Sequence, residues 1–418
     1  MTDQRVLTTD IIAKESLAML NNNLGVLETF HRAYEDEFAK KVHGYEVGET
    51  ISIRRPHDPR PRTGVTMQVQ DVIEGKVPLT VNKRYGHDFK FDSQELTLKI
   101  EDISERVIKP AMVNLANKIA QDVLAETYPR FNNWIGVTGS KIDSFADFTV
   151  MPERLDLQGV PDSDRKGILS VADTYALLNS QTGLFIQGVN KDAYREGKLG
   201  PIADVETYKS NLIPVHKNGS ADNTTPLVKG AGQEKAYKDV KDAFWQELST
   251  DGWDNSATIT KGTVFTIADC YLVNPRTKQR TDVLMQFVVK EDVQAASSSA
   301  NETKIKIEPP IITSGPHQNC TFTSDMDDNA ITIVGAANTE YRQNLAYHKN
   351  AILFCCVPLV KPPGAVEVSR QSMNGLSVRV IPVYDGINDG SAWRLDVLAG
   401  WTVGDPQLGV RCSPIGGG

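Results

Sequence analysis

Seven histidines and five cysteines are the side chains best suited to nucleophilic, acid–base or metal chemistry, and their spacing assembles none of these. A hydrolase needs a Ser, Cys or Thr nucleophile with a base in hydrogen-bonding reach. No histidine here stands in a motif that supplies one. His57 and His87 are each followed by Asp, but both fall in a stretch that reads as an exposed hairpin, where such pairs are solvated turn residues. His317 and Cys320 have ligand-like spacing, yet no second ligand pair follows, so a zinc site is not expected. The stretch Gly136 to Lys141, GVTGSK, fails the phosphate-loop rule because it has too few residues to ring a phosphate with N–H groups. Gly230 to Gly232 is a weaker case, and both read as turns. The acidic runs Glu35 to Glu37 and Asp325 to Asp328 lack the glycine and ligand periodicity of a calcium loop. No enzyme, metal or cofactor is expected.

One charged cluster remains. Arg54, Arg55, Arg60 and Arg62 surround Pro56, Pro59 and Pro61 in RRPHDPRPRTG. The prolines forbid a helix and a central strand. The arginines can grip nucleic acid or pair with carboxylates on another subunit. Pairing is favoured, because a guanidinium fork matches a carboxylate and an isolated hairpin needs a surface to lie on.

The elements that would carry this hairpin are legible from periodicity. From Val47 to Leu98 apolar residues alternate, as in ISIRR, VPLTVNK and FKFDS, which predicts extended strands that cannot build their own core. Before them, Asp10 caps a short amphipathic helix with Ile12, Leu17 and Leu20 on one face. Phe30, Tyr34 and Phe38 at i, i+4 spacing predict a second. The clearest helix begins at Asp102, with Glu105 completing a capping box, and runs to Pro129. Ile108, Met112, Leu115, Ile119 and Val123 form its apolar face. Its roughly 27 residues would span about 40 Å, with a kink at Pro110.

After Trp134 come short alternating segments, then ILSVADTYALLNS, which predicts a helix. From about Lys217 to Asn344, the segments TVFTI, CYLVN, DVLMQFVVK, TKIKIEP and AITIVGA read as close-spaced strands of a small antiparallel barrel or sandwich. AILFCCVPLV, LSVRVIPVYD and AWRLDVLAGWTVG then resume the first body. In the last, Trp393, Leu395 and Val397 alternate with Arg394 and Asp396, one face buried and the other wet. The barrel is therefore an insertion.

The 418 residues are 40% hydrophobic and carry 45 Lys and Arg against 53 Asp and Glu, a net charge of −8. That balance argues against a protein whose affinity comes from wrapping phosphates. The odd set of cysteines, without a C-x-x-C pair, reads as free thiols. The start, MTDQRVLTTDIIAKES, lacks the pattern of a signal peptide, and no run is apolar enough to span a membrane. A cytoplasmic product is expected.

An arm, a long two-stranded loop, a spine helix and a body interrupted by a β-rich insert resemble the major capsid proteins of tailed phages. Five segments carry the likeness further: VPLTVNKRYGHDFKFDSQEL, YREGKLGPIADVETYKSNLIPVH, KGTVFTIADCYLVNPRTKQRTDVLMQFVV, LAYHKNAILFCCVPLVKPPG and WRLDVLAGWTVGDPQLGVR. In this order they resemble the coat-protein family of short-tailed phages with an inserted β-barrel.

The resemblance implies an α+β capsid fold divided into an N-terminal arm (1–46), an extended loop (47–100), a spine helix and peripheral domain (101–150), a first axial part (151–216), the inserted β-barrel (217–345), and a second axial part returning to the peripheral domain (346–418). It implies pentamers and hexamers in an icosahedral shell, formed as a precursor with a scaffolding protein and then expanded around double-stranded DNA held without sequence specificity. A portal complex would occupy one vertex. The short N-terminal region implies that the scaffolding protein is separate. Assembly would occur in the host cytoplasm, with no membrane involved. A nanocompartment shell that encloses cargo enzymes is the alternative. Beyond the hairpin arginines, expected contacts between subunits are Asp251 and Asp254 flanking Trp253, and Arg276, Lys278 and Arg280 at the insert's hairpin tip, where a plain solvated turn is the other reading.

Overall fold

A computed structural model of the chain describes residues 9–22, 25–32, 50–54, 64–67, 69, 75–92, 104–137, 139–181, 201–222, 226–235, 244–315, 317–362, 368–385 and 390–415. It divides into two compact units, one of Met1–Ser52, Pro78–Val123 and Ile352–Thr402, the other of Ile53–Val77, Leu124–Ala351 and Val403–Gly418. The class is α+β.

In the first unit, helix α1 (Thr9–Asn22) buries Ile12, Leu17 and Leu20, as the spacing predicts. The expected aromatic helix does not follow in the part described. Gly25–Thr29 is a 3₁₀ turn, and His31 forms a parallel bridge to Leu353, so the chain is already extended one residue after buried Phe30. Tyr34 and Phe38 lie outside the described residues.

The unit's sheet holds β3 (Lys83–Asp92), β20 (Ile352–Val357), β21 (Ser369–Met373), β22 (Leu376–Asp385) and β23 (Gly390–Val403). Its order is β20-β23-β22-β21, with β3 also on β23. Leu395, Val397, Val378 and Val380 are fully buried on its apolar face. Helix α1 binds that face through Asp10, which accepts from Ser369 Oγ.

Helix α2 (Lys109–Thr127) buries Ile108 just before it and Met112, Leu115, Ile119 and Val123 within it, the face read from the sequence. Ser104–Ile108 is a π-helical turn that runs directly into the α-helix, whose second residue is Pro110, so the wider turn lies where the proline takes an N–H out of the ladder. Asp102 lies outside the described residues.

The second unit contains a six-stranded sheet of β4 (Asn133–Val137), β5 (Arg165–Ser170), β6 (Pro201–Ile202), β7 (Val205–Ser210), β19 (Asn344–His348) and β24 (Gly409–Pro414). The order is β4-β24-β19-β5-β7-β6, so two late strands sit between early ones. Two helices correct the sequence reading. Phe145–Leu157 is helix α3, not alternating strand, with Ser144 Oγ accepting from Asp147 N–H at 3.0 Å as its cap. Thr149, Val150 and Pro152 hide it from propensity, but Phe148, Met151 and Leu155 are fully buried with Leu169, Leu177 and Val205. The expected ILSVADTYALLNS helix is instead the end of β5 followed by α4 (Val171–Gln181), because Ser170 Oγ accepts from Asp173 N–H at 3.1 Å and starts the helix there.

The remaining block forms a seven-stranded antiparallel sheet: β9 (Leu227–Val228), β10 (Gln246–Asp251), β12 (Val264–Val273), β13 (Arg280–Val289), β15 (Thr303–Glu308), β16 (Cys320–Phe322) and β17 (Ile331–Ile333). TVFTI and CYLVN are one strand, β12, whose register shifts between Thr266 and Tyr271 where Asp269 has φ +60°. The expected barrel is also corrected. The ladder is an open path, β16-β12-β13-β15-β10-β9 with β17 on β12, and the gap between β9 and β17 is crossed by the isolated bridge of Leu227 to Ala330 and by backbone bonds from Val228 to Asn329, Asp328 to Val228 and Ile331 to Pro226. It is a half-barrel over a core that includes Trp253, Phe265, Phe287, Met285 and Ile305. Three short ribbons complete the strands: β1 (Thr50–Arg54) with β2 (Lys76–Thr80), β8 (Val215–Lys217) with β18 (Glu340–Arg342), and β11 (Thr258–Ile259) with β14 (Val293–Gln294).

Candidate assembly surfaces

The base of the extended loop is a ribbon with one dry side. Ile51, Val77 and Leu79 are buried while Thr50, Ser52, Arg54, Lys76 and Pro78 alternate outward or half-outward. Arg54 ends β1 on the exposed side. Arg55, Arg60 and Arg62 lie outside the described residues, as does His57. Further along the same loop, Val65, Met67 and Val69 are 98%, 76% and 81% exposed. Three large apolar side chains at alternate positions, nearly all in water, are costly at about 25 cal/mol per Å² of apolar surface. Sequence reading picked out the arginines and passed over this apolar row, although its period of two was visible.

The two insert turns hold their charged residues in separate places. Trp253 is buried and its Nε1 donates to Thr250 Oγ1 at 2.8 Å, which anchors the loop. Asp251 turns to Lys229 at 3.4 Å, whereas Asp254 is exposed. At the hairpin tip, Asn274 Oδ1 accepts from the N–H groups of Arg276 and Thr277 at 2.9 and 3.1 Å. Arg276 reaches back to the Gly159 carbonyl at 3.0 Å, and the Arg280 guanidinium stacks 3.9 Å from the Tyr271 ring centroid. Lys278 takes the left-handed turn position, φ +55°. Arg276 and Arg280 are thus engaged within the chain.

Sequence reading missed one arginine cluster and one buried arginine. On the first unit's sheet, Asp396 is 2% exposed although its strand position predicts a wet side chain. Arg84 Nη2, Arg379 Nη2 and Arg394 Nε donate to it at 2.8, 2.6 and 3.0 Å. Burial pushes its pKa up, and the three arginine bonds together outweigh that and hold it below the usual carboxylate range. In the second unit, Arg411 on β24 is fully buried, 5.4 Å from the Trp134 ring and 5.9 Å from Tyr128, with Nη2 donating to the Gly262 carbonyl at 3.0 Å. Burial pulls its pKa down to about 9. The same burial, with Arg411 alongside, lowers His216 to about 3.

The chemical expectations resolve simply. His87 lies on β3 opposite Leu395 and so belongs to a paired strand, not a free hairpin. Cys320 is buried in the half-barrel, and no group of three or more His, Cys, Asp or Glu placed to hold a metal occurs among the described residues. Gly136 and Val137 end β4, so GVTGSK begins as strand. No described helix is long and apolar enough to cross a membrane.

A family model described as "P22 coat protein - gene protein 5" matches residues 25–413. The chain belongs to the P22 coat protein family. The major capsid protein of Acyrthosiphon pisum secondary endosymbiont phage 1 is 20% identical over 381 residues, covering 87% of this chain and 88% of that protein. Among solved structures, a Mycobacterium phage Che8 chain overlaps with TM-score 0.47 at 12% identity (94% and 92% of the two chains), and the Ralstonia phage GP4 capsid with 0.41 at 8% (89% and 85%). A virus-like particle from Pyrococcus furiosus overlaps with 0.40 at 9% identity (96% and 97%). The family rests on the sequence match. This P22-type coat protein is a phage major capsid protein, a structural component of the virion and not an enzyme. The nanocompartment alternative is not favoured by that family.

Proposed function

We propose that this coat protein assembles into pentamers and hexamers of an icosahedral shell, through a precursor built with a scaffolding protein, which expands as double-stranded DNA enters through a portal vertex. Assembly takes place in the host bacterial cytoplasm. The row Val65, Met67 and Val69 carries the reading: it is exposed in the single chain and has no reason to be apolar unless another copy covers it. Arg54, with Arg55, Arg60 and Arg62, would add carboxylate pairs beside it, and Asp251, Asp254, Arg276, Lys278 and Arg280 would make the insert's contacts. Folding of such a loop is completed by association, and many weak copies of one contact suffice to close a shell. The acidic net charge suits an inner wall that holds DNA without gripping it.

The experiment is electron microscopy of the purified chain with and without its scaffolding partner. Wild type should give closed shells. A triple variant, Val65→Ser, Met67→Ser and Val69→Ser, should remain a folded subunit by circular dichroism and lose shell yield. Equal shell yield from the variant would remove the apolar row from the interface, and a wild-type chain that stays monomeric at every concentration would overturn the proposal.

A further inference from the structure

The arginine face of the first unit's sheet has the build of an anion-binding notch. Asp396 and the facing Asp88 set two negative charges against three guanidinium groups, a local surplus of one positive charge. Arg379 is 9% exposed and is fixed by a second bond from Nη1 to the Val360 carbonyl at 2.7 Å, so it is the floor. Arg84 and Arg394 are 45% and 49% exposed and form the rim. Arg394 spends only Nε on Asp396, leaving Nη1 and Nη2 without a partner among the described residues.

The notch is kept open by Gly86, which faces Asp396 across the ladder. A Cβ there would stand 2.7 Å from the Leu395 carbonyl oxygen and 3.2 Å from Asp396 Oδ1. Strand register puts Arg84, Lys90, Arg370, Arg379 and Arg394 on one face with Asp88, Asp92, Asp385 and Asp396, five cations against four carboxylates. Among the described residues, the polar contacts of α1 and α2 with the sheet go to its other face. Asp10 of α1 bonds Ser369, and Asp122 of α2 accepts from Tyr85 OH at 2.8 Å, and both sheet residues have the parity of the apolar side.

We propose that this notch docks a carboxylate-bearing segment of a second copy of the chain, with Arg394 and Arg84 as the contacting residues. The inference rests on the self-assembly reading. A second copy is the partner every shell subunit meets, and each copy carries 53 Asp and Glu in a net charge of −8. Its Asp325, Asp327 and Asp328 form one exposed acidic turn of the required kind. Exposed Asp88, opposite Arg394, interrupts the positive face. A phosphate backbone that needs a continuous cationic track would be repelled there, whereas one carboxylate between two guanidinium forks would not.

The test places an amine at the rim by Arg394→Lys in the full chain and assembles shells from a mixture of natural-isotope and ¹⁵N-labelled subunits. Carbodiimide then couples amines to touching carboxylates, and mass spectrometry reads the products. Mixed-isotope peptides joining position 394 to an Asp or Glu of another copy are expected. Coupling only within one copy, to Asp88 or Asp396, or no coupling, overturns the inference. The same experiment with Arg84→Lys covers a failure of the first variant to fold. Arg394→Gln, compared with wild type at a temperature where circular dichroism shows both free subunits fully folded, should slow shell assembly by about tenfold or more at low salt, equivalent to about 1.4 kcal/mol. Shells that form at the wild-type rate but retain less DNA would assign the notch to phosphate instead. If wild type itself forms no shells, the assembly reading fails, separately from the notch.

Discussion

The side-chain amide of Gln286 on β13 bonds the backbone of Trp134 on β4 at both ends: Oε1 accepts from the Trp134 N–H at 2.9 Å, and Nε2 donates to its carbonyl at 2.8 Å. Asn132 Nδ2 also donates to the Gln286 carbonyl at 2.9 Å. A side chain here replaces the strand that would otherwise pair with β4, and it joins the half-barrel to the six-stranded sheet within one unit. Gln286→Ala should therefore cost about 2–4 kcal/mol, because it strips two bonds and leaves a buried N–H and C=O unpaired. Urea unfolding of the free subunit measures it. A loss under about 0.5 kcal/mol would show that the junction does not depend on this amide.

His216 sets a pH dependence. It is 2% exposed, its Nδ1 is 3.4 Å from Tyr128 OH, and its ring meets Trp134 edge-on at 5.6 Å. Its folded pKa of about 3 lies below the ordinary 6.5. Between those values the unfolded chain takes up a proton that the folded chain refuses, so stability is full above pH 6.5 and falls as pH drops toward 3. The slope from this one group is roughly 1.4 kcal/mol per pH unit. His216→Gln should remove that slope while leaving the carboxylate contribution in place. Parallel urea-stability curves for wild type and variant between pH 7 and pH 5 would contradict the assignment.

Gly400 on β23 is a position where space alone decides. A Cβ would lie 2.3 Å from the Thr80 carbonyl oxygen and 2.7 Å from the Val81 Cα, both backbone atoms that cannot swing away. Gly400→Ala should destabilise the subunit by about 3 kcal/mol. A melting temperature within a degree or two of wild type would mean that the strand shifts freely, contrary to this packing.

Periodicity made the spine helix legible because Ile108, Met112, Leu115, Ile119 and Val123 repeat along one face, and that face is the buried one. The same rule found α1 and the strands of the insert. It failed at α3, where Thr149, Val150 and Pro152 resemble strand and turn, and the deciding cap, Ser144 to Asp147, is a local bond that propensity does not weigh. It also failed at the split of β12, since a bulge at Asp269 looks like a loop when its partner strands are unknown.

Family membership and the absence of catalytic spacing were therefore properties of the sequence itself: both depend on the order of residues along the chain. What only tertiary structure decided was which charges are spent and which are left over. Asp396 reads as wet from its alternation, yet Arg84 and Arg379, each more than a dozen residues away along the chain, close over it together with Arg394. Arg276 and Arg280 read as an outward cationic tip, and both are exposed, but only the structure shows that they also reach the Gly159 carbonyl and the Tyr271 ring. Charge is counted in sequence, but Coulomb energy and desolvation depend on distance in space, and strand register fixes those distances.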